Sequence, residues 1–379
     1  MHRMKKLIIV AILAAVSTNS YSQKKYSFDI NPMAFYGISN TIIDPLLSRL
    51  EIFLNDIDGD IEHSAVVKYN KDRDDYDFSF LRGGNAQKAL KQVLMVVEKV
   101  GQDKFLLKIA YLMKKPENVT IPAIVNVFAS KEDSLFFFYP ALYYYSGLMK
   151  THVEGNIRYR YKDSLNIELC KEMNKINNQL ARKFNVPPLK FTYYKFKNPK
   201  ELFNCLGFDF LSNMYFDTTG GIVGSNQNAF YAGNNSEIYT HEIVHLYIRK
   251  LYTNANTFAN EGFATLLGGS GETSYEQGIL RIAQQVLSEK QDANIFEAFI
   301  NDYQVDGKYS LKYFVGALVC KKVEDKYGMT GIKKLLCSGD TADDFLNVTD
   351  NLIGLNKENF NTEILSYLKG ITGINNSSN

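Results

Sequence analysis

The 379-residue chain contains no tryptophan, only four cysteines, eight prolines and five histidines. None of the cysteines has a partner at Cys-x-x-Cys spacing, which argues against a thiol redox centre and against a zinc–thiolate site. Eight prolines beside 45% hydrophobic and 22% charged residues exclude a disordered polymer, a collagen-like fibre and a low-complexity array. Neither sign of charge dominates: 43 Lys+Arg against 41 Asp+Glu leave a net +2. The basic residues are not gathered into one block, so a nucleic-acid partner is not expected. Beyond the N-terminus no apolar run is long enough to cross a bilayer. The best one, Leu135–Tyr145, is short, interrupted by Pro140 and rich in tyrosine. What is abundant is Tyr and Phe, 25 of each, which suits cores and binding clefts alike. At ~100–200 residues per domain, the length predicts about two domains.

Residues 1–22 read as a secretory signal peptide. Arg3, Lys5 and Lys6 precede an apolar run from Leu7 to Val16, and Ser20-Tyr21-Ser22 places small residues at the positions a signal peptidase inspects, which puts cleavage before Gln23. The run is shorter than the ~20 apolar residues of a membrane span. The mature chain is therefore expected in a periplasm or outside the cell, without a membrane span. That compartment permits disulfides. Cys170, Cys205, Cys320 and Cys337 allow three complete pairings, and buried free thiols fit the sequence equally well.

There is no internal repeat. Residues 23–150 form an N-terminal region of mixed α and β character and unknown role. Helical spacing runs over Asn40–Asn55 and again over Ala86–Val100, where Leu90, Val93, Leu94 and Val97 recur. Ala65–Tyr69 and Tyr76–Leu81 read as strands around a charged turn, Lys71 to Asp75. Phe105–Met113 has no clear period, and Ile121–Phe128 is β-prone. From residue 151 to 379 the pattern is more ordered. Asn156–Tyr161 alternates as a strand, Asn166–Phe184 is an amphipathic helix stopped by Pro187-Pro188, and Leu189–Tyr194 alternates again. Pro199–Leu206 is a short helix, Gly220-Gly221 opens a turn, and Ala229–Ala232 is a short strand.

Residues 241–245 read His-Glu-Ile-Val-His. On a helix, positions i and i+4 lie one turn apart on one face, so His241 and His245 can aim their imidazoles at one point. Glu242 lies close to that face and can reach a water held there without ligating. Asn234 as N-cap with Glu237 three residues on would form a capping box for this helix. A catalytic zinc takes three protein ligands and keeps one position open. Glu261, in Asn-Glu-Gly-Phe-Ala, can supply the third from a second helix over about Thr257–Leu267. A turn at Asn254–Asn256 precedes that helix and Gly268-Gly269 stops it. Asn260 and Thr265 are placed to hold the outer nitrogens of the histidines.

His-Glu-Ile-Val-His followed by Asn-Glu-Gly-Phe-Ala resembles the gluzincin metallopeptidases of the peptidase MA group. The likeness covers roughly 155–370. It includes the strand–helix–strand order before the motif and the aromatic-rich segment Tyr313–Gly328 after it. The resemblance implies an α+β fold, in which a zincin-like (thermolysin-like) metallopeptidase domain follows the unassigned N-terminal region. It implies one zinc ion on His241, His245 and Glu261, with Glu242 as general base. Thermolysin-like members stabilise the oxyanion with a downstream histidine, and none follows His245 here. Other members use a tyrosine, for which Tyr313 is preferred over Tyr309. The acidic residue often found one turn after the third ligand is replaced by Thr265. The resemblance also suggests a peptide held along an edge strand, either Gly221–Val223 or Ala229–Ala232. The expected function is an exported zinc peptidase acting on a peptide or protein substrate. A weakly active or inactive binding protein on the same fold, or a hydrolase of a non-peptide amide, are the alternatives.

Overall fold

The computed structural model describes residues 26–57, 64–68, 90–212, 220–224, 228–288 and 294–372. The signal segment 1–22, the charged turn and the strand expected over Tyr76–Leu81 lie outside these residues. In chain order the elements are β1 (Asp29–Ile30), α1 (Asn40–Ile57), β2 (Lys91–Lys99), β3 (Lys104–Lys114), β4 (Val119–Glu132), β5 (Leu135–Pro140), α2 (Ala141–Ser146), β6 (Lys150–Glu154) and β7 (Ile157–Tyr161). Then come α3 (Ile167–Phe184), β8 (Phe191–Lys195), α4 (Pro199–Leu206), β9 (Phe208–Leu211), β10 (Gly221–Val223), β11 (Ala229–Ala232), α5 (Thr240–Leu251) and α6 (Thr257–Gly268). The chain ends with α7 (Tyr275–Ser288), α8 (Ile295–Ile300), the pair β12 (Gln304–Val305) and β13 (Tyr309–Ser310), α9 (Leu311–Leu336), α10 (Ala342–Ile353) and α11 (Phe360–Thr372). The fold is thus mixed α+β. It divides into two compact units, Met1–Leu148 with Phe203–Met214, and Met149–Leu202 with Tyr215–Asn379.

The first unit is built on a sheet of order β1-β2-β3-β4-β5, in which β9 joins β4. The far edge of β4 is shared: Val127–Glu132 pair with β5, and Ala123–Val125 pair with β9. Asn126 Nδ2 donates to Asp209 Oδ1 at 2.6 Å, and Lys108 forms an ion pair with the same carboxylate, which fixes the returning strand. Helix α1 lies over the expected span. It buries Ile43, Leu46, Leu50 and Phe53, with the Phe53 ring stacked on Phe138 at 4.8 Å.

One expected helix is a strand. Ala86–Val100 carries helical spacing, yet Lys91–Lys99 pair antiparallel with β3. The register shifts between Leu94 and Val96, leaving Met95 as an extra residue. A regular strand sends residues three apart to opposite faces. The bulge returns Val97 to the face of Leu94, and both are buried. Spacing of three therefore arises here from a strand defect. The strand expected over Ala65–Tyr69 reduces to a single parallel bridge between Val67 and Phe138.

The second unit carries a sheet of order β10-β11-β8-β7-β6. β7, β8 and β11 are parallel, and α3 makes the crossover between β7 and β8. α3 follows its sequence signals closely. The Asn166 side chain caps its N-terminus, and Asn185 ends it in the left-handed region, at φ 56°, before the two prolines act. β10 pairs antiparallel with β11 and is the sheet's edge. β11 lies inside the sheet, so of the two strands suggested as a substrate edge only Gly221–Val223 qualifies.

The core of this unit is continuous. It gathers Tyr159 and Tyr193 from the sheet, Phe184 from α3, Val244 and Tyr247 from α5, Phe263 from α6 and Val315 from α9. α9 contains a break at Gly328, with φ 59° and ψ −152°, so it is two helices in series. Cys170, Cys205, Cys320 and Cys337 are all unbridged, and the first three are buried. Among the described residues no helix is long and apolar enough to cross a membrane.

Candidate metal centre

Helix α5 is buried on every side from His241 to Ile248. A helix apolar all round belongs in an interior, and here Ile243, Val244, Leu246, Tyr247 and Ile248 supply that character. The histidines and Glu242 are the polar exceptions, and groups buried this deeply need partners.

The start of α5 differs from the expected capping box. The helix begins at Thr240, and Tyr239 precedes it without a side-chain cap. Asn234 instead closes a local turn, accepting from Ser236 N and donating to the Ile238 carbonyl. Glu237 turns inward: its Oε1 accepts from Lys195 Nζ at 2.7 Å and from the backbone N–H of Asn166 at 2.8 Å. Tyr193 donates to the Ser236 carbonyl at 2.7 Å. The segment feeding α5 is thus held from the sheet. Asn234 and Glu237 have residue types that suit a cap, but they serve longer-range contacts.

α6 starts where expected. Asn256 caps it, accepting from Phe258 N and Ala259 N, and its own amide donates to the carbonyls of Gly339 and Thr341. The helix brings Glu261 to the two histidines. His241 Nε2 and His245 Nε2 lie 3.0 Å apart. Glu261 Oε2 is 3.5 Å from the first and 3.3 Å from the second. Three ligands at ~2.0–2.2 Å from a tetrahedral metal would stand about 3.3 Å from one another, so the observed triangle fits a single ion. Among the described residues this is the one group of three or more His, Cys, Asp or Glu side chains that could hold a metal.

The outer nitrogens show the same commitment. His241 Nδ1 is 2.6 Å from the Gly269 carbonyl, and His245 Nδ1 is 2.8 Å from Asn260 Oδ1. A carbonyl oxygen only accepts, so each Nδ1 carries a proton and each Nε2 faces inward. Asn260 does what the sequence suggests. Thr265 does not: its buried hydroxyl reaches no partner among the described residues, and a backbone carbonyl holds the other histidine. Gly269, with φ 72°, is the residue sequence reasoning missed. Its visible signal is only a helix stop, because the useful group is a carbonyl that every residue carries.

The charges are strongly coupled. Burial pushes the His245 imidazole down, but the Glu261 and Glu242 carboxylates and the Asn260 oxygen outweigh it and raise its pKa to about 9. Burial would raise the Glu261 carboxyl, and the two imidazoles facing it hold it well below the usual carboxylate range instead.

Glu242 and Tyr313 complete the site. Both line a cleft of about 560 Å³ with His241, Gly221, Tyr239, Glu272 and Asp302. The Tyr313 ring lies nearly parallel to the His241 ring, 6.0 Å away. Burial first, then the charges of Glu261, Asp302 and Glu242, push its phenol well above the ordinary value, so it stays protonated. Ser310 caps α9 by accepting from Tyr313 N at 3.1 Å, and its hydroxyl donates to Asp302. Tyr309 is not part of the cleft wall; its ring packs 6.1 Å from Phe314. Sequence reasoning missed Asp302 and Ser310, though a serine three residues before Tyr313 is a recognisable cap signal.

No protein-family model matches the chain, and no curated protein matches it.

Proposed function

We propose that the protein is an exported zinc-dependent peptidase of gluzincin type, with His241, His245 and Glu261 as ligands. One observation carries the reading: two imidazole Nε2 atoms and a carboxylate oxygen converge at 3.0–3.5 Å inside a cleft wall, with both outer nitrogens already committed. Three ligands rather than four suit catalysis, because structural zinc sites usually close all four positions. Zinc held there supplies a Lewis acid for a carbonyl and brings a water's pKa toward neutrality.

The chain's own groups do the rest. Glu242 takes the proton of the attacking water and delivers it to the leaving amine nitrogen. The Tyr313 phenol, kept protonated by burial and nearby carboxylates, donates to the developing oxyanion. A peptide lies along the edge strand β10, whose Gly221 borders the cleft. Arg249 Nη1 already donates to the Val223 carbonyl at 3.1 Å, which ends the usable edge there. Export follows from the basic, apolar and small-residue order of residues 1–22.

The test is Glu242→Gln. It should retain one zinc per chain and lose hydrolysis of a mixed peptide library by about two orders of magnitude or more, in line with general-base loss. A zinc-loaded wild type that cleaves no peptide contradicts the peptidase reading and leaves a binding role. Activity confined to non-peptide amides reassigns the substrate.

A further inference from the structure

We infer that Gly221 is a positioning residue for Glu242, acting through the space its missing side chain leaves. The inference rests on the proposed role of Glu242 as the base. Glu242 is 8% exposed, yet its carboxylate has no hydrogen-bond partner among the described residues. Its direction is therefore set by what packs against its stem. Gly221 opens the edge strand β10 directly beside it. A Cβ on Gly221 would stand 2.6 Å from Glu242 Cγ, 2.8 Å from Glu242 Cδ and 2.8 Å from Tyr239 Cε1. All three are closer than real Cβ atoms come.

The glycine does not serve its own backbone. Gly221 is not among the positive-φ glycines and sits in an ordinary strand, a conformation open to any residue. What forbids a side chain is the Glu242 stem and the edge of the Tyr239 ring. The strand backbone thus forms a wall on which the first turn of α5 rests, and the carboxylate is aimed into the cleft that His241 and Tyr313 also line. The obstructing atoms belong to the flexible Glu242 side chain and the edge of the Tyr239 ring, and none of them is backbone. An added methyl should therefore be accommodated by turning Glu242 aside, with the fold and the metal ligands left in place. Misplacement of a reacting group by about 1 Å is enough to slow a reaction up to a hundredfold.

The experiment compares wild type with Gly221→Ala, both zinc-loaded. Gly221→Ala should bind one zinc and unfold at the wild-type temperature. Its kcat should fall about ten- to a hundredfold with KM unchanged. Crystals of zinc-loaded Gly221→Ala should show the Glu242 carboxylate displaced. An unmoved Glu242 with unchanged kcat overturns the inference, as does a loss of activity that only follows loss of zinc or of fold. Should the wild type cleave no peptide, the peptidase reading fails, and the position of Glu242 in the Gly221→Ala crystals still decides this inference.

Discussion

At the scale of single residues, the site is a balance of charges in a group that could hold a metal ion. His245 carries a proton in the metal-free protein at neutral pH, because its pKa is raised to about 9. A metal needs the neutral imidazole, so binding at pH 7 must expel that proton. The sign follows directly: apparent affinity rises as pH increases toward about 9 and levels off above it. Calorimetric titration with zinc in two buffers of different ionisation enthalpy should report close to one proton released per ion. Buffer-independent heats would contradict the assigned charge. The outer hydrogen bonds are separately testable. Asn260→Ala removes the acceptor at 2.8 Å from His245 Nδ1 and should weaken zinc binding about 10- to 100-fold, measured by competition with a chromogenic chelator. Thr265→Val should leave zinc affinity unchanged, since the Thr265 hydroxyl reaches no partner among the described residues.

At the scale of elements, two packing devices bring the ligands together. Helices α6 and α9 touch through glycines. A Cβ on Gly262 would stand 2.5 Å from Gly316 C and 2.6 Å from Gly316 O. Gly262 follows Glu261, and Gly316 lies three residues after Tyr313, so this close crossing sets the third ligand beside the phenol. The obstacle is backbone, in contrast to Gly221, and Gly262→Ala should cost about 1–3 kcal/mol or more by overpacking. Chemical denaturation measures it. The second device is the buried pair Lys195–Glu237, with side chains 11% and 3% exposed. Lys195→Met leaves an unpaired buried carboxylate and should cost about 3–5 kcal/mol. Adding Glu237→Gln removes the stranded charge while a carbonyl oxygen still accepts from Asn166 N, so the double variant should recover part of the loss.

These devices show what the sequence carries openly and what it hides. The His241–His245 pair was legible because i, i+4 spacing on a helix is local geometry, and α6 with Glu261 was legible from the turn Asn254–Asn256 and Gly268-Gly269. β2 was not, because a bulge at Met95 gives a strand the spacing of a helix. The Asn234–Glu237 pattern misled for a related reason: a cap-type residue close to a helix start was instead drawn into contacts with Lys195 and Asn166, 42 and 71 residues away. The Gly269 carbonyl and the Gly221 gap left no side-chain signature at all.

At the scale of the whole molecule, the two units have separate apolar cores, and the metal triad lies within the second. A ligand that binds only the folded state adds about 2.7 kcal/mol at a hundredfold excess over its dissociation constant. Scanning calorimetry should therefore show chelation lowering the transition of the second unit and leaving that of the first. Zinc removal that shifts neither transition would contradict binding at the triad. The central claim is that His241, His245 and Glu261 share one ion. The most direct measurement is an anomalous difference map at the zinc edge from crystals of the protein grown with zinc. The account predicts one strong peak about 2.0–2.2 Å from His241 Nε2, from His245 Nε2 and from a Glu261 carboxylate oxygen. A triad without a peak, or with Glu261 swung away from the imidazoles, would contradict it.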